Sequence, residues 1–171
     1  MKTKTRQRLQ TVTGSRPAAQ IDGLLPLFDV GGRSYFGYRM VLAAKMFDRV
    51  VVGLLAEHSD VTLPQWRVLA QLGIIKNSTV RALADGAAVD RAEISRASRK
   101  LVKRGLIRRR EDQADLRSPM FSLTPAGRRL YTRVRKPISE FIVHLMDEVS
   151  SRDLAAADRV ILNITRGCIK R

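Results

Sequence analysis

The stretch Ser78-Thr79-Val80-Arg81-Ala82-Leu83-Ala84-Asp85-Gly86-Ala87-Ala88-Val89-Asp90-Arg91-Ala92-Glu93-Ile94-Ser95-Arg96-Ala97-Ser98-Arg99-Lys100-Leu101-Val102-Lys103-Arg104-Gly105 decides the fold. Ser78 to Gly86 reads as a short helix carrying Val80, Leu83 and Ala84, with Ala84 small enough to let a second helix cross closely. Gly86 to Val89 reads as a tight turn, with Val89 turned into the core. Asp90 is a helix cap, and the helix it opens runs toward Gly105. A short helix, a turn and a longer helix are the layout of a helix-turn-helix.

The second helix sorts by angle. At about 100° per residue, Ile94, Ala97 and Leu101 fall on one side and are expected in the core. Ala92, Ser95, Arg96, Arg99 and Lys103 fall on the other and are expected in solvent. Small and hydrogen-bonding residues thus hold the N-terminal half of the exposed face, with cations further along. A helix in the major groove needs this order, because its first residues meet base edges while later cations hold phosphates. Ser95 and Arg96 are the candidates for base readout. Arg99 and Lys103 are the candidates for phosphate, and Arg91 adds a cation at the helix start. A helix face that is merely solvated would show the same charges.

The residues after this helix add weight. Leu106 to Arg110 and Met120 to Leu123 have strand composition, separated by a polar segment suited to a hairpin loop. Arg108, Arg109 and Arg110 lead into it. From Arg91 to Arg117 there are 10 basic and 4 acidic residues. A basic hairpin directly after a helix-turn-helix is a wing, whose tip can enter a minor groove of negative potential. Arg117 is the natural inserting residue, and Asp115 can hold its direction. The same two residues can equally form a surface ion pair, worth less than about 1 kcal/mol.

Outward from this core the chain is helical. Phe36, Met40, Ala43, Phe47, Val50, Val51 and Leu54 stripe one face of a long helix around residues 34–57, and Gly31-Gly32 before it suits a turn or flexible entry. Thr62, Pro64 and Gln65 have capping-box spacing, Trp66, Leu69, Ala70 and Leu72 come next, and Gly73 fits a stop. Thr124-Pro125 restarts a helix that is expected to reach about Val149, with Leu130, Val134, Ile138, Phe141, Ile142 and Leu145 inward and a kink at Pro137. Ser150 and Asp153 cap a last helix striped by Leu154, Ala157, Val160, Ile161 and Ile164. The fold class is mainly α with a small β-hairpin.

Composition bounds the function. The chain has 171 residues, 32 Lys plus Arg against 16 Asp plus Glu, and a formal net charge of +16. This surplus favours a polyanionic partner, nucleic acid or an acidic membrane surface. The single cysteine, Cys168, excludes an internal disulfide framework, and with His58 and His144 it gives too few ligands for a Cys/His zinc site. Arg166, Lys170 and Arg171 near Cys168 could activate its thiol, but an incidental small apolar role is the preferred reading. The longest apolar run, Val50 to Ala56, is too short to span a bilayer, so no membrane is expected and the simplest location is cytoplasmic. No nucleophile elbow, phosphate loop or paired metal ligands argue for an enzyme; no cofactor and no metal are expected. Residues 1–25 form a basic segment with Lys2, Lys4, Arg6, Arg8 and Arg16. It reads as a disordered tail: an arm on DNA phosphates, a transit peptide or solvated chain.

Four passages resemble the MarR family of winged-helix regulators. They are Thr62-Leu63-Pro64-Gln65-Trp66-Arg67-Val68-Leu69, Leu101 to Arg109, Asp112 to Arg117, and Leu123-Thr124-Pro125-Ala126-Gly127. The resemblance covers about residues 34–170. Ser118 departs from it, since the family often has a second Arg there, and Glu93 stands near the reading end of the second helix.

The resemblance implies a homodimer. Residues 26–61 would supply one dimerisation helix, 62–123 the winged helix-turn-helix and 124–171 the remaining dimerisation helices. Such a dimer would bind double-stranded DNA at an inverted repeat, with half-sites about 10 bp apart. It also implies release by a small, often aromatic or anionic, effector held near Phe36, Tyr38, Met40, Phe47, His58 and Trp66. An aromatic stripe at helical spacing is also what a plain core looks like. The function expected is a sequence-specific transcriptional regulator, with repression by occlusion. The competing reading is a nonspecific architectural nucleic-acid binder using tail and surface charge.

Overall fold

The computed structural model describes residues 29–30, 33–34, 36–111 and 119–169. The order of elements is β1 (Asp29–Val30), β2 (Arg33–Ser34), α1 (Phe36–His58), α2 (Leu63–Ile75), β3 (Asn77–Thr79), α3 (Val80–Ala87), α4 (Arg91–Lys103), β4 (Ile107–Arg110), β5 (Met120–Leu123), α5 (Pro125–Met146) and α6 (Ser151–Ile169). Two compact units are distinguished, residues 1–135 and 136–171. No helix among the described residues is long and apolar enough to cross a membrane.

In the first unit, α2, α3 and α4 pack around a closed apolar core. Val68, Leu69, Leu72, Leu83, Ile94 and Leu101 are fully buried, and each such side chain contributes about 1.5–3 kcal/mol by leaving water. A three-stranded antiparallel sheet of order β3-β5-β4 closes one side. Ser78 stands opposite Phe121 in one ladder, and Ile107 opposite Leu123 in the other. Trp66 is buried and stacks on Tyr131, with ring centroids 5.8 Å apart.

The helix starts match their sequence signals. The Thr62 N–H donates to Gln65 Oε1 at 3.0 Å. Asp90 Oδ1 accepts from the Ala92 N–H at 2.5 Å. Thr124 Oγ1 accepts from the Gly127 N–H at 3.0 Å, and Ser150 Oγ accepts from the Asp153 N–H at 3.1 Å. Each satisfies a donor that the first helical turn leaves free.

Several expectations need correction. Gly73 does not stop α2, which continues to Ile75. A Cβ on Gly73 would stand 2.4 Å from the Tyr131 ring, so this glycine makes room for an aromatic side chain. Ser78 lies in β3, a three-residue strand that exists through its pairing with β5; Thr79 caps α3 instead, accepting from the Ala82 N–H at 3.2 Å. Gly86 sits inside α3 against Gln71, and the left-handed residue that ends the helix is Ala88, with φ 50°. A second short ladder, Val30 with Arg33 and Asp29 with Ser34, precedes α1. The apolar stripe of α1 is buried only at its end, at Val51, Leu54 and Leu55.

The second unit differs in kind. The long helix α5 ends at Met146, short of the expected Val149, and Pro137 lies inside it. Ile142 and Leu145, expected inward, are exposed. No residue of α6 is buried, and Leu154, Ala157, Val160, Ile161 and Ile164 all face solvent within the single chain. Periodicity reports that a face is apolar; it does not say whether the cover comes from the same chain.

Candidate nucleic-acid interface

The α3–α4 corner is fixed by its backbone. The Ala88 N–H donates to Asp85 O and the Val89 N–H to Ala84 O, both at 3.2 Å, which closes α3 in the manner of a Schellman turn. Gln71 Nε2 of α2 donates to the Leu83 carbonyl at 2.9 Å and braces the corner from behind. Val89 is half-buried beneath it. Ile94, Ala97, Ser98 and Leu101 then seal the inner face of α4.

The outer face of α4 carries the expected residues. Arg91, Ala92, Arg96, Arg99 and Lys103 are exposed, and Ser95 is half-buried. Lys100 is exposed beside them and extends the cationic strip. Glu93, in the first turn, is half-buried. Arg109 is exposed on β4, opposite Phe121 in the ladder, and Arg108 is tied by its Nε to Ser122 Oγ at 2.9 Å. Asp115 and Arg117 lie outside the described residues.

Behind α4 two attachments hold its end. Arg104, the residue after the helix, meets Asp60 Oδ1 at 2.5 Å. That hydrogen bond from Arg104 is the main reason the Asp60 carboxyl is held below its ordinary pKa; its own backbone and the charges of Arg104 and Arg133 add to the effect, against slight desolvation. Thr124 Oγ1 donates to the Gly105 carbonyl at 2.7 Å, and the Thr124 N–H donates to the Leu106 carbonyl at 3.1 Å. Gly105 itself has φ 67°, which turns the chain from helix to strand. Sequence reasoning missed Asp60 and Arg104, since 44 residues separate the partners.

The effector candidates do not form one group. Phe36, Met40 and Phe47 share a face of α1 by helical spacing, while Tyr38 projects from another side. His58 is at the far end of this 23-residue helix, 3.8 Å from Glu57. Trp66 is in the core against Tyr131. Arg39, not singled out from sequence, is half-buried on α1, and its Nε is buried with no hydrogen-bond partner. Among the described residues, no cluster of three or more His, Cys, Asp or Glu is placed to hold a metal ion.

Residues 59–118 match the model of the MarR family. Among solved structures, it is 26% identical to a MarR family transcription regulator, with 78% of this chain and 90% of that one covered and a TM-score of 0.65. A cysteine-to-serine mutant of MarR from E. coli, complexed with operator DNA, is 19% identical, over 75% of this chain and 91% of that one, at a TM-score of 0.65. The PcaV transcriptional regulator from Streptomyces coelicolor, in complex with its natural ligand, is 22% identical over 74% and 91%, at 0.61. No curated protein matches the sequence. In MarR terms, α3 and α4 are the helix-turn-helix, and β4 and β5 carry the wing. The mostly helical chain with one small three-stranded sheet is a MarR winged-helix fold.

Proposed function

We propose that the protein is a sequence-reading transcriptional regulator that binds an inverted-repeat operator as a homodimer and represses by occlusion. The observation that carries this is the division of α4. One face is sealed into the core by Ile94, Ala97 and Leu101, and the other presents Arg91, Ala92, Ser95, Arg96, Arg99 and Lys103 to solvent. A capped, rigidly seated helix with small residues at its start and cations along it has the form needed in a major groove. The MarR structure complexed with operator DNA shares this fold and supports the assignment. Arg109 joins the proposed contact, and Arg117 with Asp115 is proposed beside it from the sequence alone.

The exposed apolar residues of α6, with Ile142, Leu145 and Met146 of α5, favour a second copy as their cover. A two-fold dimer presents two recognition helices and so reads a palindrome. Release by a small ligand is the further part of the reading. The unpartnered Arg39 Nε, near Phe36 and Met40 in sequence, gives an anionic group a partner there, and PcaV with its ligand is a relative of the same fold. A ligand acts only if it binds the DNA-incompetent arrangement more tightly.

The test compares binding to DNA upstream of the protein's own gene with random DNA of equal length, over a salt series. A preference of about a thousandfold or more, with protection of two half-sites, is the expected result. Equal affinity for a selected pool and random DNA favours the architectural reading, which draws on the net charge of +16.

A further inference from the structure

A second cationic face lies away from the helix-turn-helix. Pro125, Arg128, Arg129, Thr132 and Arg133 occupy one side of α5, spaced by three and four residues, and line an open cavity of about 510 Å³. All five are exposed. The opposite side of the same helix is its core face, with Gly127, Leu130, Tyr131 and Val134 buried. The three arginines therefore project from a rigid support.

The charge here has no acidic neighbour along its own helix turn. No acid occurs in the sequence from Leu116 to Ser139, and the first turn of α5 has none. Arg129 and Arg133 are a like-charge pair one turn apart, which weakens a helix. Arg128 and Arg129 stand near the positive end of the helix dipole, where cations are disfavoured. Neither placement helps the fold, and a bound polyanion relieves both. The Arg133 charge reaches Asp60, which holds Arg104 at the end of α4.

We infer that the Arg128–Arg129–Arg133 face of α5 is a second, sequence-blind contact for the sugar–phosphate backbone of duplex DNA, outside the stretch read by α4. Guanidinium groups suit phosphate oxygens, and three of them project from one helix face. Contacts of this kind add affinity and salt dependence without adding sequence preference. The inference extends the proposed regulator and rests on its DNA binding, though on no particular operator.

The test uses the full chain and a 60-bp duplex of random sequence, with affinity measured against salt. Arg128→Gln/Arg129→Gln/Arg133→Gln is compared with Arg99→Gln/Lys103→Gln and with the combination. The α5 variant is expected to reduce the salt slope by about three and to weaken binding about tenfold or more at 0.1 M salt. The α4 variant reduces the slope by about two, and the combination by about five. Unchanged or higher melting temperature of the α5 variant excludes misfolding as the cause. A wild-type slope in the α5 variant beside a reduced slope in the α4 variant overturns the inference alone. Loss of binding to polyglutamate with the DNA slope intact assigns the face to an acidic protein and also overturns it. No binding of the wild-type chain to duplex DNA overturns the proposed function with it.

Discussion

Gly127 approaches Leu106 so closely that an added Cβ would stand 1.9 Å from the Leu106 carbonyl oxygen. That oxygen already accepts the Thr124 N–H at 3.1 Å. The obstacle is backbone, and it cannot swing aside as a flexible side chain would. Gly127→Ala is therefore expected to destabilise the protein by about 2–3 kcal/mol. Urea unfolding measures this, and a loss below about 0.5 kcal/mol would show that the junction of wing and α5 yields freely.

At the corner of the helix-turn-helix, glycine and alanine stand in the reverse of the simplest order. Ala88 takes the left-handed conformation, and Gly86 lies within the helix. Ala88→Gly removes backbone strain while loosening the unfolded chain, so its net effect is expected to lie within about 1 kcal/mol of zero, on the stabilising side. Gly86→Ala places a Cβ 2.8 Å from Gln71 Oε1 and displaces the amide that braces Leu83. It should cost about 1 kcal/mol. Paired melting curves of the two variants give the comparison, and the same sign for both would contradict the roles assigned to these two residues.

Two arginines one turn apart on α4 should fail in different ways. Arg96→Ala is expected to relax sequence preference by about 1–3 kcal/mol at one base pair, if its partner is guanine. Arg99→Ala is expected to weaken all duplexes alike and to lower the salt slope by about one. Binding to a panel of single-base operator variants, repeated at two salt concentrations, separates these outcomes. A uniform loss for Arg96→Ala would remove it from base readout.

Asp60 gives a pH dependence of known sign. Its carboxyl is held below the ordinary value of 3.8, chiefly by the hydrogen bond from Arg104. A depressed folded-state pKa contributes stability above the unfolded value and loses it as pH falls through the folded one. The stability difference between wild type and Asp60→Asn is thus expected to be constant from about pH 5 to 7 and to shrink below about pH 4. The Asp60 side chain is largely exposed, so the difference is small. Urea midpoints at about pH 3, 5 and 7 measure it; a difference that grows in acid contradicts the assignment.

Much of the architecture was legible because its signals are local. Thr62, Asp90 and Thr124 mark helix starts through bonds that span two or three residues, and Ile94, Ala97 and Leu101 fix the buried side of α4 by spacing alone. What the sequence hid was decided by partners far along the chain. Gly73 looks like a stop until Tyr131 is seen against it. Gly86 looks like a turn until Gln71 is seen against it. Three residues cannot declare themselves a strand without Phe121 and its neighbours alongside. At the candidate interface, the outward face of α4 came from angle, whereas the Asp60–Arg104 attachment needed the tertiary structure. Whether Leu154, Ile161 and Ile164 find cover lies beyond any one copy's own sequence pattern.

A helix of 19 residues that buries none of them in its own chain has a consequence for control. If a second copy supplies the cover, folding and pairing are linked by mass action, and the melting temperature rises with protein concentration. In that case the monomer would dominate at low abundance, and a palindrome would fill in proportion to the square of the amount of protein present. A gene repressed in this way would respond to its regulator as a threshold, escaping repression each time cell division outpaces synthesis.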